Sequence, residues 1–211
     1  MLVEEKRIPS MLLSILFTQV EELMGRRSLI MLLRQADLSE YIDNVPSMDD
    51  TPSITVQEYS KLLAIIYDIF GARGARPIFL RGGQLGAKEL RHQRPAQFAF
   101  AGTALKLLPS NKRMQIVLDK LADQGAEMYG ASYHLDEEDN AFYLEISGCP
   151  YCAEISRRSL EKNRVISKPV CHIPAAIVDE MMEWVTGQKH LVEEVACVAL
   201  GDPACCFRVA K

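Results

Sequence analysis

The hydrophobic period of this chain changes near its middle, and that change limits the fold more than any other feature. In the first half apolar residues recur every three or four positions. Leu12, Leu13, Leu16, Val20, Leu23 and Met24 make one apolar face and predict a helix from about Ser10 to Met24. "SLIMLLRQADLSEYI" predicts a second apolar helix ending before Pro46, and residues 44–54 read as a polar loop. "TVQE" at 55–58 is a capping box opening a helix through Tyr59, Leu62, Leu63, Ile66 and Ile69, with Gly71 as its stop. "RGGQLGAKEL" lies in a further helix; its glycines match neither phosphate-binding fingerprint and read as close helix packing. Ser110 is expected to cap a helix through Met114, Val117, Leu118 and Leu121 that ends at Gly125.

Beyond that point the period shortens. "MYGASYHL" and "NAFYLEIS" are aromatic and partly alternating, and the acidic turn "DEEDN" between them predicts a hairpin. A cysteine-bearing loop follows, then the helix "IPAAIVDEMMEWVTG", with Pro174 in its first turn and Gly187 just past its end. "HLVEEVACVAL" and "CCFRVAK" flank "GDPA" as a second hairpin. Helices followed by hairpins predict an α+β fold, with N-terminal helices packed on an antiparallel sheet. At 211 residues the chain is long enough for one sizeable core.

Composition narrows the function classes. A chain 48% hydrophobic and 25% charged is ordinary for a soluble protein, and a net charge of −4 gives no reason to expect nucleic acid or an anionic membrane as partner. The basic residues Arg157, Arg158, Lys162 and Arg164 are flanked by Glu and read as a solvated face. The N-terminus carries acids where a secretory signal would not, and the run Met11–Phe17 is too short to span a bilayer. The expected location is therefore the reducing cytoplasm, where six cysteines are expected as thiols or metal ligands rather than disulfides.

Those cysteines are Cys149 and Cys152 in "GCPYC", Cys171 in "PVCHIP", and Cys197, Cys205 and Cys206 around the second hairpin. Zinc takes about four donors in a tetrahedron and favours thiolate. A hairpin supplies two when Cys197 precedes its turn and Cys205 follows it. Alternation puts Cys206 on the opposite face from Cys205. Glu194 stands three residues before Cys197, so in a regular strand its carboxylate faces away, and it joins the same metal only through a bulge or bend. Cys149 and Cys152 form a CxxC pair that reads either as redox-active or as donors joining Cys197 and Cys205 in a four-thiolate site. His172 reads as a capping or surface residue, and Trp184, Met181 and Met182 as core of the last helix. No Ser/His/Asp set, paired acids or nucleotide motif offers another chemistry.

"EEVACVALGDPACCF" resembles the closing signature of the 4-vinyl-reductase domain family, E-x-x-C-x-A-x-G-D-x-x-C-x-F. Glu194, Cys197, Ala199, Gly201, Asp202, Cys205 and Phe207 fall on it. The resemblance covers roughly 128–211, as the zinc-binding part of a domain whose residues 1–127 supply a helical, dimerising and pocket-forming region. It implies zinc held by Cys171, Glu194, Cys197 and Cys205, with Cys206 at a position the signature leaves free. It also implies the ligand-binding fold shared by nitric-oxide-signalling domains and Golgi vesicle-tethering subunits, with a cavity between helices and sheet. Cys149, Cys152 and Trp184 are then expected as pocket or redox residues, the two cysteines on a loop at the pocket mouth. The function implied is a module that binds or senses a hydrophobic small molecule (aromatic, hydrocarbon or tetrapyrrole-like). It would act as a homodimer through residues of about 10–70 and pass its signal to a separate output protein. The alternative is a 4-vinyl reductase, or an accessory protein, in (bacterio)chlorophyll and tetrapyrrole biosynthesis. A reductase needs a hydride or electron source, and only the CxxC pair suggests one. Binding is therefore favoured over catalysis.

Overall fold

Thr55 and Glu58 close a reciprocal capping box: the Glu58 amide donates to Thr55 Oγ1 at 3.1 Å, and the Thr55 amide donates to Glu58 Oε2 at 2.8 Å. They launch α3 (Val56–Gln93), the spine of the structure. This computed structural model describes residues 6–211. Ahead of α3 lie β1 (Arg7–Pro9), α1 (Ser10–Met24), α2 (Arg26–Gln35) and β2 (Pro52–Thr55), which pairs antiparallel with β1. After it come α4 (Pro95–Leu105), α5 (Ser110–Tyr129), β3 (Ser132–Glu137), β4 (Ala141–Ser147), α6 (Ala153–Glu161), α7 (His172–Thr186), β5 (Val192–Ala196) and β6 (Cys205–Ala210). Strands β3 to β6 form an antiparallel sheet in the order β3-β4-β6-β5, so β4 and β6 sit at its centre.

The α+β arrangement agrees with the change of period, and the differences have local causes. Gly71 does not stop α3 but kinks it: at φ 65° and ψ 177° it leaves helical space for one residue and the helix resumes. Helix α5 continues past Gly125 to Tyr129 and ends at Gly130, in the left-handed region at φ 70°. Gly125 serves packing instead, since a Cβ there would come within 2.4 Å of the Tyr133 ring. Ser110 is the first residue of α5 and makes no side-chain cap. The ribbon β1–β2 is too short for alternation to show, and α6 buries only Ile155 and Ser159, too few for a periodic signal. Helix α4 also goes beyond the sequence reading.

Leu13, Leu16 and Val20 of α1, Leu32 and Leu33 of α2, and Leu62 and Leu63 of α3 form one buried core. The apolar N-terminal faces are thus covered within a single chain, which removes the apolar-surface reason for expecting a dimer through residues 10–70. Arg157 lies on a solvated face, paired with Glu154 and Glu161, but Arg158 of α6 and Lys162 and Arg164 just beyond it turn to a carboxylate of α3. Asp68 of α3, its side chain only 7% exposed, meets Arg158 at 3.5 Å, Lys162 at 2.5 Å and Arg164 at 2.9 Å. That cluster fastens α6 to α3. Among the described residues no helix is long and apolar enough to cross a membrane.

A candidate metal centre beside an apolar cavity

Three chain segments bring thiols to one point under the sheet. The first is the turn after β4, which Gly148 opens in the left-handed region at φ 70°. It places Cys149, then Cys152 as the residue before α6, and both are buried. The second is Cys171, at the N-terminus of α7 and fully buried. The third is the β5–β6 connection. There Cys197 donates its amide to Asp202 Oδ2 at 2.8 Å, while its carbonyl accepts from the amides of Leu200 and Asp202. Gly201, at φ 102°, completes the turn. Cys205 then opens β6 opposite Ile146 of β4.

Glu194 reaches the same point because β5 is irregular. It pairs with Phe207, whereas Ala196 pairs with Cys206, so the register shifts between Glu194 and Ala196. This irregularity is what brings a carboxylate three residues before Cys197 to the cysteine's side. Glu194 Oε2 accepts the Cys171 amide at 2.9 Å, at the start of α7, while its other oxygen, Oε1, is buried without a partner.

The sulfurs lie within contact of one another: Cys149 and Cys171 at 3.6 Å, Cys152 and Cys205 at 3.3 Å, Cys171 and Cys205 at 3.6 Å. Two groups of four donors, each with all ligand atoms within 4.8 Å, share Cys171 and Cys205. One adds Cys149 and Cys152; the other adds Glu194 and Cys197. A four-thiolate set therefore exists around Cys149 and Cys152, but its partners are Cys171 and Cys205 rather than Cys197 and Cys205. Cys206 belongs to neither group and lies half-buried on the other face of β6. Cys149 and Cys152 are not at a pocket mouth: they are core residues, because the turn that carries them is folded beneath the sheet.

The protonation pattern is that of thiols crowded around shared hydrogen bonds. Donation from Cys152 and then Cys171 holds Cys149 well below the usual thiol value and brings Cys197 to about 6. Burial, followed by the Cys149 sulfur, pushes Cys171 up. Burial also pushes Glu194 up to about 9, with the Cys197 sulfur adding to it. Without a cation this region must keep protons to limit its buried negative charge. An orphaned carboxylate oxygen among thiols at van der Waals separation is the donor chemistry of a thiolate-preferring ion such as zinc.

Helix α7 links this cluster to a cavity of about 510 Å³ between helices and sheet. Ile173, Pro174, Ile177 and Val178 of α7 face the cavity, opposite Leu12 and Ile15 of α1. Gly82 and Gly86 of α3 leave room, and Tyr59, Tyr129, Tyr133 and Tyr151 add phenol groups. The Tyr129 and Tyr151 rings meet edge to face at 5.3 Å. Burial raises all four phenols and brings Tyr129 to about 12, so they are neutral hydroxyls near neutral pH. At the rim, Arg94 pairs with Asp50 at 2.9 Å. Trp184 does not line this space; it sits further along α7, edge-on to Phe98 at 5.2 Å. His172 is half-buried beside the cluster and belongs to neither donor group. The tyrosine set escaped sequence reading because its members come from four separate segments; only "MYGASY" places two of them near each other.

Proteins similar in sequence and in fold are known. The sequence profile of the V-4-R domain matches residues 142–211. An uncharacterized protein of Methanocaldococcus jannaschii is 27% identical over 66 residues, which are 31% of this chain and 32% of that protein, so the match spans about a third of that relative's length. Among solved structures, the phenol-responsive sensory domain of the transcription activator PoxR, crystallised with phenol, superimposes with a TM-score of 0.52 at 15% identity, covering 84% of this chain and 89% of that one. A mutant of an H-NOX protein from K. algicida gives 0.54 at 10% identity over 97% and 96% of the two chains. An H-NOX protein from S. oneidensis gives 0.52 at 12% identity over 94% and 98%. At these identities the likeness is one of fold, and it agrees with the nitric-oxide-signalling fold that the sequence implied. The stretch 142–211, which contains all six cysteines, matches the V-4-R domain profile and carries the closing signature noted in the sequence.

Proposed function

We propose that this protein binds a small, largely apolar molecule in the cavity between α1, α3, α5, α7 and the sheet, as a sensory or carrier module rather than an enzyme. The observation that carries this reading is the cavity itself. Its volume of about 510 Å³ lies within the range of small-molecule sites, roughly 300–1,000 Å³. Aliphatic walls and a few convergent hydroxyls suit an apolar body with one polar end, of which a phenol is the simplest. The PoxR sensory domain, of the same fold, was crystallised with phenol.

The cysteine cluster is the structural partner of that cavity. Zinc held by Cys171, Glu194, Cys197 and Cys205 would tie the N-terminus of α7 to the β5–β6 hairpin and so fix one wall. A site filled by four protein donors leaves no open position for catalysis. The thiols lie at non-bonded separations, which suits a reducing cytoplasm. A change in how α7 packs would carry ligand occupancy to a separate output protein.

The test is mass spectrometry of small molecules extracted from natively purified protein, followed by titration calorimetry with phenol, 4-alkylphenols and a free porphyrin. We expect an apolar ligand in the extract and saturable binding of alkylphenols. Binding of the porphyrin alone would turn the reading to a tetrapyrrole. Saturable binding of none of them would overturn it.

A further inference from the structure

The cysteine cluster holds more donors than one metal ion accepts. Five thiols and one carboxylate converge, and they fall into two groups of four that have Cys171 and Cys205 in common. A single tetrahedral zinc ion uses four donors and would leave two of the six stranded in the core, either Cys149 with Cys152 or Glu194 with Cys197. Two tetrahedra that share an edge need two bridging donors and two terminal donors on each ion, which is the inventory present here. Cys171 and Cys205 stand in the bridging positions.

Distances agree with that division. Zinc–sulfur bonds of about 2.3 Å give a tetrahedron edges of about 3.8 Å. The Cys171–Cys205 separation, which would be the shared edge, is 3.6 Å. Cys149–Cys171 at 3.6 Å and Cys152–Cys205 at 3.3 Å fit as edges running from the bridge to the CxxC side. On the other side, Glu194 offers a carboxylate oxygen within 4.8 Å of the Cys171, Cys197 and Cys205 sulfurs, and its Oε1 is buried without a partner. Charge points the same way. Six deprotonated donors around one divalent ion leave a large negative charge in a buried site, and a second ion halves it, each ion releasing thiol protons to solvent.

From this geometry we infer a second zinc site: the CxxC pair Cys149 and Cys152 binds its own ion, joined to the first through the Cys171 and Cys205 thiolates. The inference rests on reading the cluster as a metal centre, and the test separates the two.

The reduced full-length protein is incubated with excess zinc, freed of loosely held metal by gel filtration, and assayed for zinc per chain by elemental analysis and native mass spectrometry. We expect two zinc ions per chain for the wild type. One is expected for Cys149→Ser/Cys152→Ser and one for Glu194→Gln/Cys197→Ser. A wild-type value of one overturns the second site and leaves the first; a value of zero overturns the metal centre altogether. Two ions retained in Cys149→Ser/Cys152→Ser would place the second elsewhere and also overturn the inference. Cobalt loading checks the bridge without any substitution. If thiolates join the ions, the electron paramagnetic resonance intensity per cobalt falls as the second equivalent is added. Full, additive intensity from both ions rules the bridge out.

Discussion

The cysteine cluster and the tyrosine-lined cavity lie at successive positions of the same helix, yet they pose opposite physical problems. Cys171, the residue before α7, sits in the cluster, and two residues later Ile173 faces the cavity. The cluster crowds six donors together, five buried thiols and a carboxylate, which is the arrangement that a bound cation would relieve. The cavity has too few atoms, and an apolar void costs only the contacts it lacks, so it tolerates being empty. The contrast predicts that metal governs stability whereas ligand governs little but occupancy.

The largest effect should follow loss of the bridge between α7 and the hairpin. Cys171→Ser or Cys205→Ser, or removal of metal by a chelator, should cost at least about 3 kcal/mol, since metal affinity becomes folding free energy. For a domain of this size that is a fall in melting temperature of roughly 6–12 °C, read by calorimetry. Cys206→Ser should change the melting temperature little, because Cys206 lies outside both donor groups. Equal losses from Cys205→Ser and Cys206→Ser would break the comparison.

Two glycines three residues apart on α3 sharpen it. A Cβ at Gly83 would stand 2.4 Å from the Ile173 carbonyl oxygen and 2.8 Å from Ala176 Cβ, so α3 and α7 touch there through backbone. Gly83→Ala should destabilise by about 2 kcal/mol, as overpacking outweighs the gain in helix propensity. At Gly86 the nearest atom is Leu12 Cδ2 at 4.0 Å, and the direction is open to the cavity. Gly86→Ala should therefore hold stability or raise it by up to about 1 kcal/mol. Thermal melts of the pair decide between a cavity and a packed interface at this point.

Asp68 offers an intermediate case. Asp68→Asn leaves Arg158, Lys162 and Arg164 without their shared carboxylate, but these cations are partly solvated, so the cost should be about 1–2 kcal/mol in urea unfolding.

The smallest effect concerns the capping box, far from both sites. Hydrogen bonding from the Thr55 amide holds the Glu58 carboxyl below the usual glutamate value. A depressed folded-state value means that this contribution is present above the ordinary value of 4.5 and is lost as pH falls below it. Thr55→Ala should cost about 1 kcal/mol at neutral pH. The stability difference between wild type and Glu58→Gln should shrink steadily as pH falls below 4.5. A difference that does not shrink on acidification would show that the carboxylate is not what the box relies on.

Periodic segments and the capping box carry local physics and were legible in the sequence. Ser10 to Met24 follows from its apolar spacing, and Thr55 with Glu58 announces a helix start in four residues. The candidate centre was legible only in part. Alternation along β6 separates Cys205 from Cys206 without any tertiary information. Glu194 needed the bulge in β5, which no local signal encodes. The burial of Cys149 and Cys152 depends on a turn folding beneath the sheet, a non-local event that made an exposed loop the natural expectation. The same reason hides the tyrosines of the cavity, which meet only once α3, α5, β3 and the turn after β4 have packed. Gly71 illustrates the remaining ambiguity: a glycine can end a helix or bend it, and only the packing of the following segment decides.

The central claim, a cavity that takes an apolar molecule by its volume, is tested most directly by the chain-length dependence of alkylphenol binding. Calorimetric titration of phenol, 4-ethylphenol, 4-propylphenol and 4-butylphenol into wild type and Gly86→Leu would supply it. Each methylene buried is worth about 0.8 kcal/mol, or roughly fourfold in affinity. We predict that steady climb in the wild type, and its collapse in Gly86→Leu with the melting temperature retained. Affinities that ignore chain length, or that survive in Gly86→Leu, would contradict the account.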